Sequence, residues 1–365
     1  MTKKKALIAT GGTGGHIFPA CSLANYLITK DFNITLTADA RGLNYVKGFK
    51  NLKFIKIPSS SLVKTNLFVF LFSVSKIIFS IVKSLFILLF TKPAIVFGMG
   101  GYSSFPICIA AALLRVKFII YENNLIIGKA NKYLLPFAEK IFVSYKEVEG
   151  ISQKYTNKIV ETGNIIREEI INSNIINKTE SNELKKLKIL VLGGSQGAKV
   201  FANELPQIFE KLKIEGTLIE IYQQCQKNQN DQLSLFYKTN NIDFELFNFT
   251  DRIIDYYSKA NLIITRSGAS VLGELINMKK PFISIPLPTS ADNHQFKNAQ
   301  FYEKKGYGYL LEEKDIEVKL YHIIYSMFKD KSLINNILSN QRQYSDKNIY
   351  KNLHVQLEKI LNEKN

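Results

Sequence analysis

The sequence predicts an α/β protein of two successive parallel-sheet domains, and three observations carry that prediction. Short β-branched runs alternate with segments of helical length over nearly the whole chain, the pattern of βαβ units. At 365 residues the chain exceeds one ordinary core and suits two, since single domains usually run to about 100–200 residues. The same local plan opens each half, a strand, then a glycine loop, then a helix: Gly11-Gly12-Thr13-Gly14-Gly15 in the first and Gly193-Gly194-Ser195-Gln196-Gly197 in the second. Two Rossmann-like domains with parallel sheets facing a central cleft follow.

Strands are expected at 6–10, 34–38, 54–57, 94–97, 118–121 and 140–143 in the first half, and at 189–192, 218–222, 244–247, 262–265 and 282–285 in the second. The polar stretch 171–188 has no sustained strand pattern and is read as a linker. It separates an N-terminal domain over 1–170 from a C-terminal one over 189–340. Residues 341–365 form a last helix expected to pack back toward the N-terminal domain.

The segment 67–90 is almost wholly apolar and long enough to cross a bilayer at 1.5 Å per residue. Ser73, Lys76, Ser80 and Lys83 recur at helical spacing and place a polar stripe along it. A spanning helix would hold both lysines in hydrocarbon at about 2.5–3.5 kcal/mol each near the centre, and would interrupt a βαβ domain. Three readings stand: a core helix whose surplus apolar surface enters the membrane interface, which is the expected one, a purely core helix, and a transmembrane helix. Lys64, Lys76, Lys83 and Lys92, with no acidic residue between Ser59 and Lys92, favour anionic headgroups and peripheral attachment.

Composition narrows the function classes. A hydrophobic fraction of 46% with 22% charged residues is that of a folded globular chain. The formal charge of +17 suits phosphate-bearing partners, although Lys and Asn are abundant throughout. No basic and aromatic cluster of the nucleic-acid-binding kind occurs. Cys21, Cys108 and Cys225 are widely spaced without a Cys-x-x-Cys, which argues against a disulfide framework or zinc site and for a reducing compartment. The apolar stretch after the basic N-terminus is too short for a signal-peptide core, so a cytosolic location is expected.

The first glycine loop follows a strand and opens a helix, so its amides can face an anion and its missing Cβ atoms admit a ligand. It is not a dinucleotide fingerprint, because the third glycine would fall on Ile17, and no Walker lysine follows. His16 ends the loop at a helix start, where an imidazole is held neutral, as a general base requires; the alternative is a histidine bonded within the turn. The second loop repeats the geometry. Thr265-Arg266-Ser267-Gly268-Ala269-Ser270 provides a further helix N-terminus at a strand end, with Glu274 one turn in, and ligands of open α/β sheets bind at such edges.

Four blocks in register, Gly11-Gly12-Thr13-Gly14-Gly15-His16-Ile17-Phe18-Pro19-Ala20, Gly98-Met99-Gly100-Gly101-Tyr102, Gly193-Gly194-Ser195-Gln196-Gly197-Ala198 and Arg266-Ser267-Gly268-Ala269, resemble the MurG family of peptidoglycan N-acetylglucosaminyltransferases. The resemblance covers essentially the whole chain and implies a GT-B architecture. It implies inverting transfer of N-acetylglucosamine from UDP-N-acetylglucosamine to the C4 hydroxyl of undecaprenyl-pyrophosphoryl-N-acetylmuramyl-pentapeptide, at the cytoplasmic face of a bacterial inner membrane. Donor contacts carried over are Thr13, Gly14, Gly15, Asn124, Arg167, Ser195, Thr250, Ala269, Ser270, Val271, Leu272, Gly273, Glu274 and Gln295. Gly100, Gly101 and Tyr102 fall on the acceptor side, with a buried tyrosine at a strand end as the alternative for Tyr102. Partners implied are the two substrates, anionic lipid of the cytoplasmic leaflet and other wall-synthesis proteins; no cofactor is implied. Departures from the family pattern are Tyr121 for histidine, Asn123 for glutamine, Ile165 for proline and His294 for the first of two glutamines.

Inversion in one displacement needs a base for the acceptor hydroxyl. His16 is the first candidate, with Asp251 and Glu122 in reserve if their environments raise their pKa. No Asp-x-Asp occurs, so a metal clamped by paired aspartates is not indicated, and Arg167 and helix N-termini are left to stabilise the leaving diphosphate. Competing readings are a UDP-N-acetylglucosamine 2-epimerase, a related glycolipid transferase and a catalytically inactive nucleotide-sugar scaffold.

Overall fold

The computed structural model describes residues 3–46, 49, 52–59, 66–171, 186–250 and 252–363, with Leu67 and residues 195–198 described by their backbone alone. The chain divides into one unit of residues 1–168 with 346–365 and a second of 169–345. Most of the expected linker, 172–185, lies outside the described residues.

In the first unit, β1 (Lys5–Ala9), β2 (Asn33–Ala38), β3 (Phe54–Lys56), β4 (Ile95–Gly98), β5 (Phe118–Glu122), β6 (Lys140–Val143) and β7 (Ile159–Glu161) form one parallel sheet in the order β3-β2-β1-β4-β5-β6-β7. The helices are α1 (Gly14–Thr29), α2 (Leu67–Thr91), α3 (Ser104–Leu113), α4 (Lys129–Leu134) and, at the boundary between units, the one-turn α5 (Glu168–Ile171). Leu7, Val96 and Ile120 are buried with Ile107, Cys108 and Ala111 of α3 in one core. Strands buried on both faces read as continuous apolar runs, which is why these were visible in the sequence.

The second unit repeats the plan with β8 (Leu187–Leu192), β9 (Ile219–Gln224), β10 (Asp243–Phe247), β11 (Leu262–Thr265), β12 (Phe282–Ser284) and β13 (Tyr309–Leu310), parallel in the order β10-β9-β8-β11-β12-β13. Around it lie α6 (Gly194–Ile214), α7 (Asn230–Thr239), α8 (Ile253–Lys259), α9 (Ala269–Asn277), α10 (His294–Lys304), α11 (Tyr321–Lys329) and α12 (Lys331–Arg342). Phe201, Leu205, Phe209 and Leu212 of α6 share one helical face and are wholly buried against the sheet. Two strands were not expected, β7 and β13. Both are short and half-buried at a sheet edge, so neither carries the apolar run that marks an inner strand.

α2 overturns one of the three readings of its sequence. Its polar stripe faces protein: Ser73, Ser80 and Ser84 are buried, Ser80 donates to the Pro58 carbonyl at 2.8 Å, and Lys83 Nζ to that of Lys56 at 2.9 Å. The opposite face is apolar and open, Phe68 being 85% exposed, Phe72 71% and Phe90 81%. A purely core helix is thereby excluded. The helix is long and apolar enough to cross a membrane by length and composition; of the two stripe lysines Lys83 is already bonded to the domain, whereas Lys76 is half-buried.

The chain returns to the first unit at Asp346, and α13 (Ile349–Asn362) belongs there. Buried Asp346 accepts from the Asn164 amide (3.0 Å) and from Asn164 Nδ2 (3.1 Å), while Tyr350 donates to the Ile166 carbonyl (2.7 Å). A Cβ on Gly163 would stand 2.5 Å from Asp346 Oδ1, so the carboxylate lies directly against the strand exit. Asp346→Ala leaves two buried donors unsatisfied and should lower unfolding free energy by about 2–4 kcal/mol, read from urea denaturation; an unchanged midpoint would refute this account of the α13 attachment.

Candidate active site

In an open α/β sheet the strand order reverses at one point, and ligands bind outside the carboxyl ends of the strands there. In the first sheet that point lies between β1 and β4, and in the second between β8 and β11. All four sequence blocks fall on these positions: the first glycine loop follows β1, Gly100-Gly101-Tyr102 follows β4, the second glycine loop follows β8, and Arg266-Ser267-Gly268 follows β11.

In the first unit the two loops meet at His16. A Cβ built on Gly100 would stand 2.9 Å from His16 Cε1 and 3.0 Å from Nδ1, so the imidazole occupies space that only glycine leaves bare. Gly100 and Gly101 have φ of +86° and +76°, which other residues adopt at a cost. A Cβ on Gly101 would meet the Gly11 carbonyl at 3.1 Å, which closes the junction of the loops. Tyr102 is 39% exposed, which removes the reading of it as a buried strand-end tyrosine.

Pro19 gives the next link. It stands inside α1 and has no N–H for the carbonyl four residues back, which is that of Gly15. Asn123 Nδ2, just beyond β5, donates to that carbonyl at 3.4 Å and ties the 123–128 loop to the glycine loop. The reserve candidate Glu122 is already engaged by several donors. It is 3% exposed, Oε1 accepts from the amide (3.1 Å) and Nδ2 (2.9 Å) of Asn124, and Oε2 accepts from the Gly128 amide (2.9 Å) and Asn131 Nδ2 (3.0 Å). Its carboxylate organises the loop that presents Asn124.

Arg167 joins the same group through Phe18, its guanidinium carbon lying 4.6 Å from the ring centroid, and Phe18 lies beneath Gly14. The approach to Arg167 is fixed by Tyr121, whose hydroxyl accepts from the Ile165 amide at 2.9 Å and lies 3.1 Å from Ser144 Oγ. Burial pushes that phenol's pKa well up, so it stays protonated. Two departures from the family pattern are thus physically coupled, because a proline at 165 would offer no N–H to Tyr121.

Sequence reasoning missed Asp39, the residue after β2. Its Oδ1 accepts from the amides of Gly12 (2.9 Å) and Gly42 (2.8 Å), and its Oδ2 from Ser59 Oγ (2.7 Å) and from Arg41 Nη2 (3.1 Å). Burial raises its pKa, but these donors outweigh burial and hold the carboxyl below its ordinary value. A lone Asp after a strand carries no motif, so only the fold reveals that it anchors the glycine loop.

In the second unit Gly194 and Gly268 both face open space where a Cβ would stand, leaving room for a ligand to approach the backbone. Ser195 is placed in the first turn of α6 by its backbone. The run from Ala269 to Glu274 divides. Val271 and Ser270 are half-buried, whereas Leu272, Gly273 and Glu274 are in the core and the Leu272 amide is already bonded to the Gly268 carbonyl at 3.0 Å. Glu274 accepts from Tyr257 Oη at 2.8 Å and supports α9 from below. Amide contact with an anion is left to the first residues of α9. Gln295 accepts from the Leu287 amide at 2.9 Å and Thr250 Oγ1 from the Arg252 amide at 3.0 Å, both at the carboxyl edge of this sheet. Asp251 lies outside the described residues.

A cavity of about 470 Å³ opens at the opposite, amino edge of the first sheet, beside Lys3, Lys5 and Lys53. It contains none of the residues above, and the chemistry is assigned to the carboxyl edges.

Residues 6–143 match the glycosyltransferase family 28 N-terminal domain and residues 188–354 its C-terminal domain. The chain is 33% identical over 362 residues, 99% of both chains, to the UDP-N-acetylglucosamine–N-acetylmuramyl-(pentapeptide) pyrophosphoryl-undecaprenol N-acetylglucosamine transferase of Pelagibacter ubique. It is 34% identical to the Rickettsia bellii protein of the same name, over 92% of this chain and 94% of that one. The crystal structure of Acinetobacter baumannii MurG superposes with a TM-score of 0.76 at 23% identity, covering 98% of this chain and 99% of that one, which shows the shared GT-B fold. With both domains matched and a relative aligned from end to end, the chain belongs to the MurG family of N-acetylglucosaminyltransferases within glycosyltransferase family 28.

Proposed function

We propose that the protein transfers N-acetylglucosamine from UDP-N-acetylglucosamine to the C4 hydroxyl of undecaprenyl-pyrophosphoryl-N-acetylmuramyl-pentapeptide, with inversion. Membership of the family supports the reaction class, and the packing of His16 on Gly100 and Gly101 is the observation that carries the mechanism. His16 takes the proton of the C4 hydroxyl as that oxygen bonds to C1 of the donor sugar. The bond from C1 to the diphosphate oxygen breaks on the opposite face, and UDP leaves with the electron pair. Arg167 receives the developing charge. The epimerase and inactive-scaffold readings lose their support, because family and site together point to transfer.

Acceptor recognition falls to the first unit and nucleotide recognition mainly to the second. The protein attaches peripherally to the cytoplasmic leaflet through the apolar face of α2, with Lys76 and Lys92 favouring anionic headgroups; Lys64 lies outside the described residues. This reading rests on the open phenylalanine face and the inward serines of that helix.

His16→Ala should lower kcat by about 10²–10⁴-fold while donor affinity changes little, measured with labelled UDP-N-acetylglucosamine and the muramyl lipid; turnover at the unaltered rate removes His16 from its role. Gly100→Ala places a methyl group on the imidazole and should cost about tenfold or more in kcat with the fold intact, checked by circular dichroism alongside the assay. Replacing Phe72, Phe79 and Phe86 with Ser should weaken sedimentation with anionic vesicles by about 100-fold, and undiminished binding would rule out α2 as the attachment face. Offering diacylglycerol beside the muramyl lipid separates this reaction from glycolipid synthesis.

A further inference from the structure

The carboxyl edge of the first sheet carries a cation that the mechanism above leaves unused. Arg41 stands three residues after β2, with its side chain 67% exposed. Among the described residues its Nε (3.3 Å) and Nη2 (3.1 Å) both go to Asp39, whose own side chain is 5% exposed. The same carboxylate holds the Gly12 amide. One buried anchor therefore fixes both the first glycine loop and the guanidinium beside it, and Nη2 stands 3.8 Å from where a Cβ on Gly12 would lie. Asp39 already has Gly12, Gly42 and Ser59 as donors, so it does not need Arg41 to be satisfied. An exposed pair of this kind adds little to stability. What the arrangement does achieve is to hold an otherwise flexible cation beside a glycine turn.

We propose that Arg41, oriented by Asp39, binds the pyrophosphate of the lipid-linked acceptor. The inference rests on the transferase reading. That reaction brings two diphosphates to one site, and two guanidinium groups of the first unit stand beside the glycine loop and the start of α1. Arg167 is held over Phe18 at the start of α1, whereas Arg41 lies on the β2 side of the glycine loop. Topology favours the acceptor for Arg41. α2 runs between the carboxyl end of β3 and the amino end of β4, so it begins at the same sheet edge as Arg41. Its first turns expose Phe68, Val69, Leu71 and Phe72. A headgroup diphosphate meeting Arg41 has an apolar surface for its prenyl chain at the same edge, which a nucleotide does not require.

Arg41→Ala and Arg41→Lys in the full chain, assayed with UDP-N-acetylglucosamine and a short-chain prenyl-pyrophosphoryl-N-acetylmuramyl-pentapeptide, test this. Arg41→Ala should raise the acceptor KM by about 10–100-fold with the donor KM and melting temperature nearly unchanged. Arg41→Lys should recover part of the loss, because it keeps the charge without the planar fork. An unaltered acceptor KM, or an increase confined to the donor, overturns the proposal. Calorimetric binding of the same acceptor without donor gives a readout independent of turnover. Should the unaltered chain bind the acceptor but fail to transfer to it, the transferase reading falls and the ratio of affinities still decides Arg41; should it not bind the acceptor at all, both fall.

Discussion

An imidazole packed against two left-handed glycines is the contact on which the rest of the first unit depends. Gly100 and Gly101 belong to the turn after β4, and His16 to the turn after β1. The strand order makes β1 and β4 neighbours, so two loops more than eighty residues apart in sequence converge. Removing the Cβ atoms allows the ring to approach, and the positive φ values turn the chain sharply enough to leave Tyr102 on the surface. Glycine here is a steric requirement of the histidine.

Around that contact the side chains act mostly on backbone. Asp39 holds the glycine loop from β2, Asn123 holds it from β5 through a carbonyl that Pro19 has released, and Glu122 closes the loop that carries Asn124. Buried carboxylates that accept several donors are rigid supports, and Asp39 and Glu122 both act in that way. The Tyr121–Ile165 hydrogen bond fixes the segment leading to Arg167. Read singly, these two residues are substitutions in a family pattern; read together, they are one compensated interaction.

α2 inverts the usual logic of an amphipathic helix. Its serines and Lys83 satisfy themselves against helix carbonyls or the β3 segment, and its phenylalanines are left outside. An open apolar surface of this kind is rare on a soluble monomer. The second unit shows the same division between support and contact within a single helix. Glu274 of α9 is a buried brace, while the opening residues of the helix stand at an edge where Gly268 leaves space.

The sequence by itself determined the fold class, the strand-loop-helix head of each half, eleven of the strands to within a few residues and the four loops that lie at the carboxyl edges of the sheets. It could do so because inner parallel strands are uninterrupted apolar runs and glycine loops are local patterns. Tertiary structure decided what local pattern does not encode. β7 and β13 exist only because an edge was available to pair with. Asp39 and Arg41 became neighbours of Gly12 because β2 lies beside β1. The oxygens of Glu122 are filled with donors by the loop that folds over them, and Leu272 and Glu274 turned inward because the helical period carried them there. Which residues touch is settled by pairing order and burial, and those are properties of the whole domain.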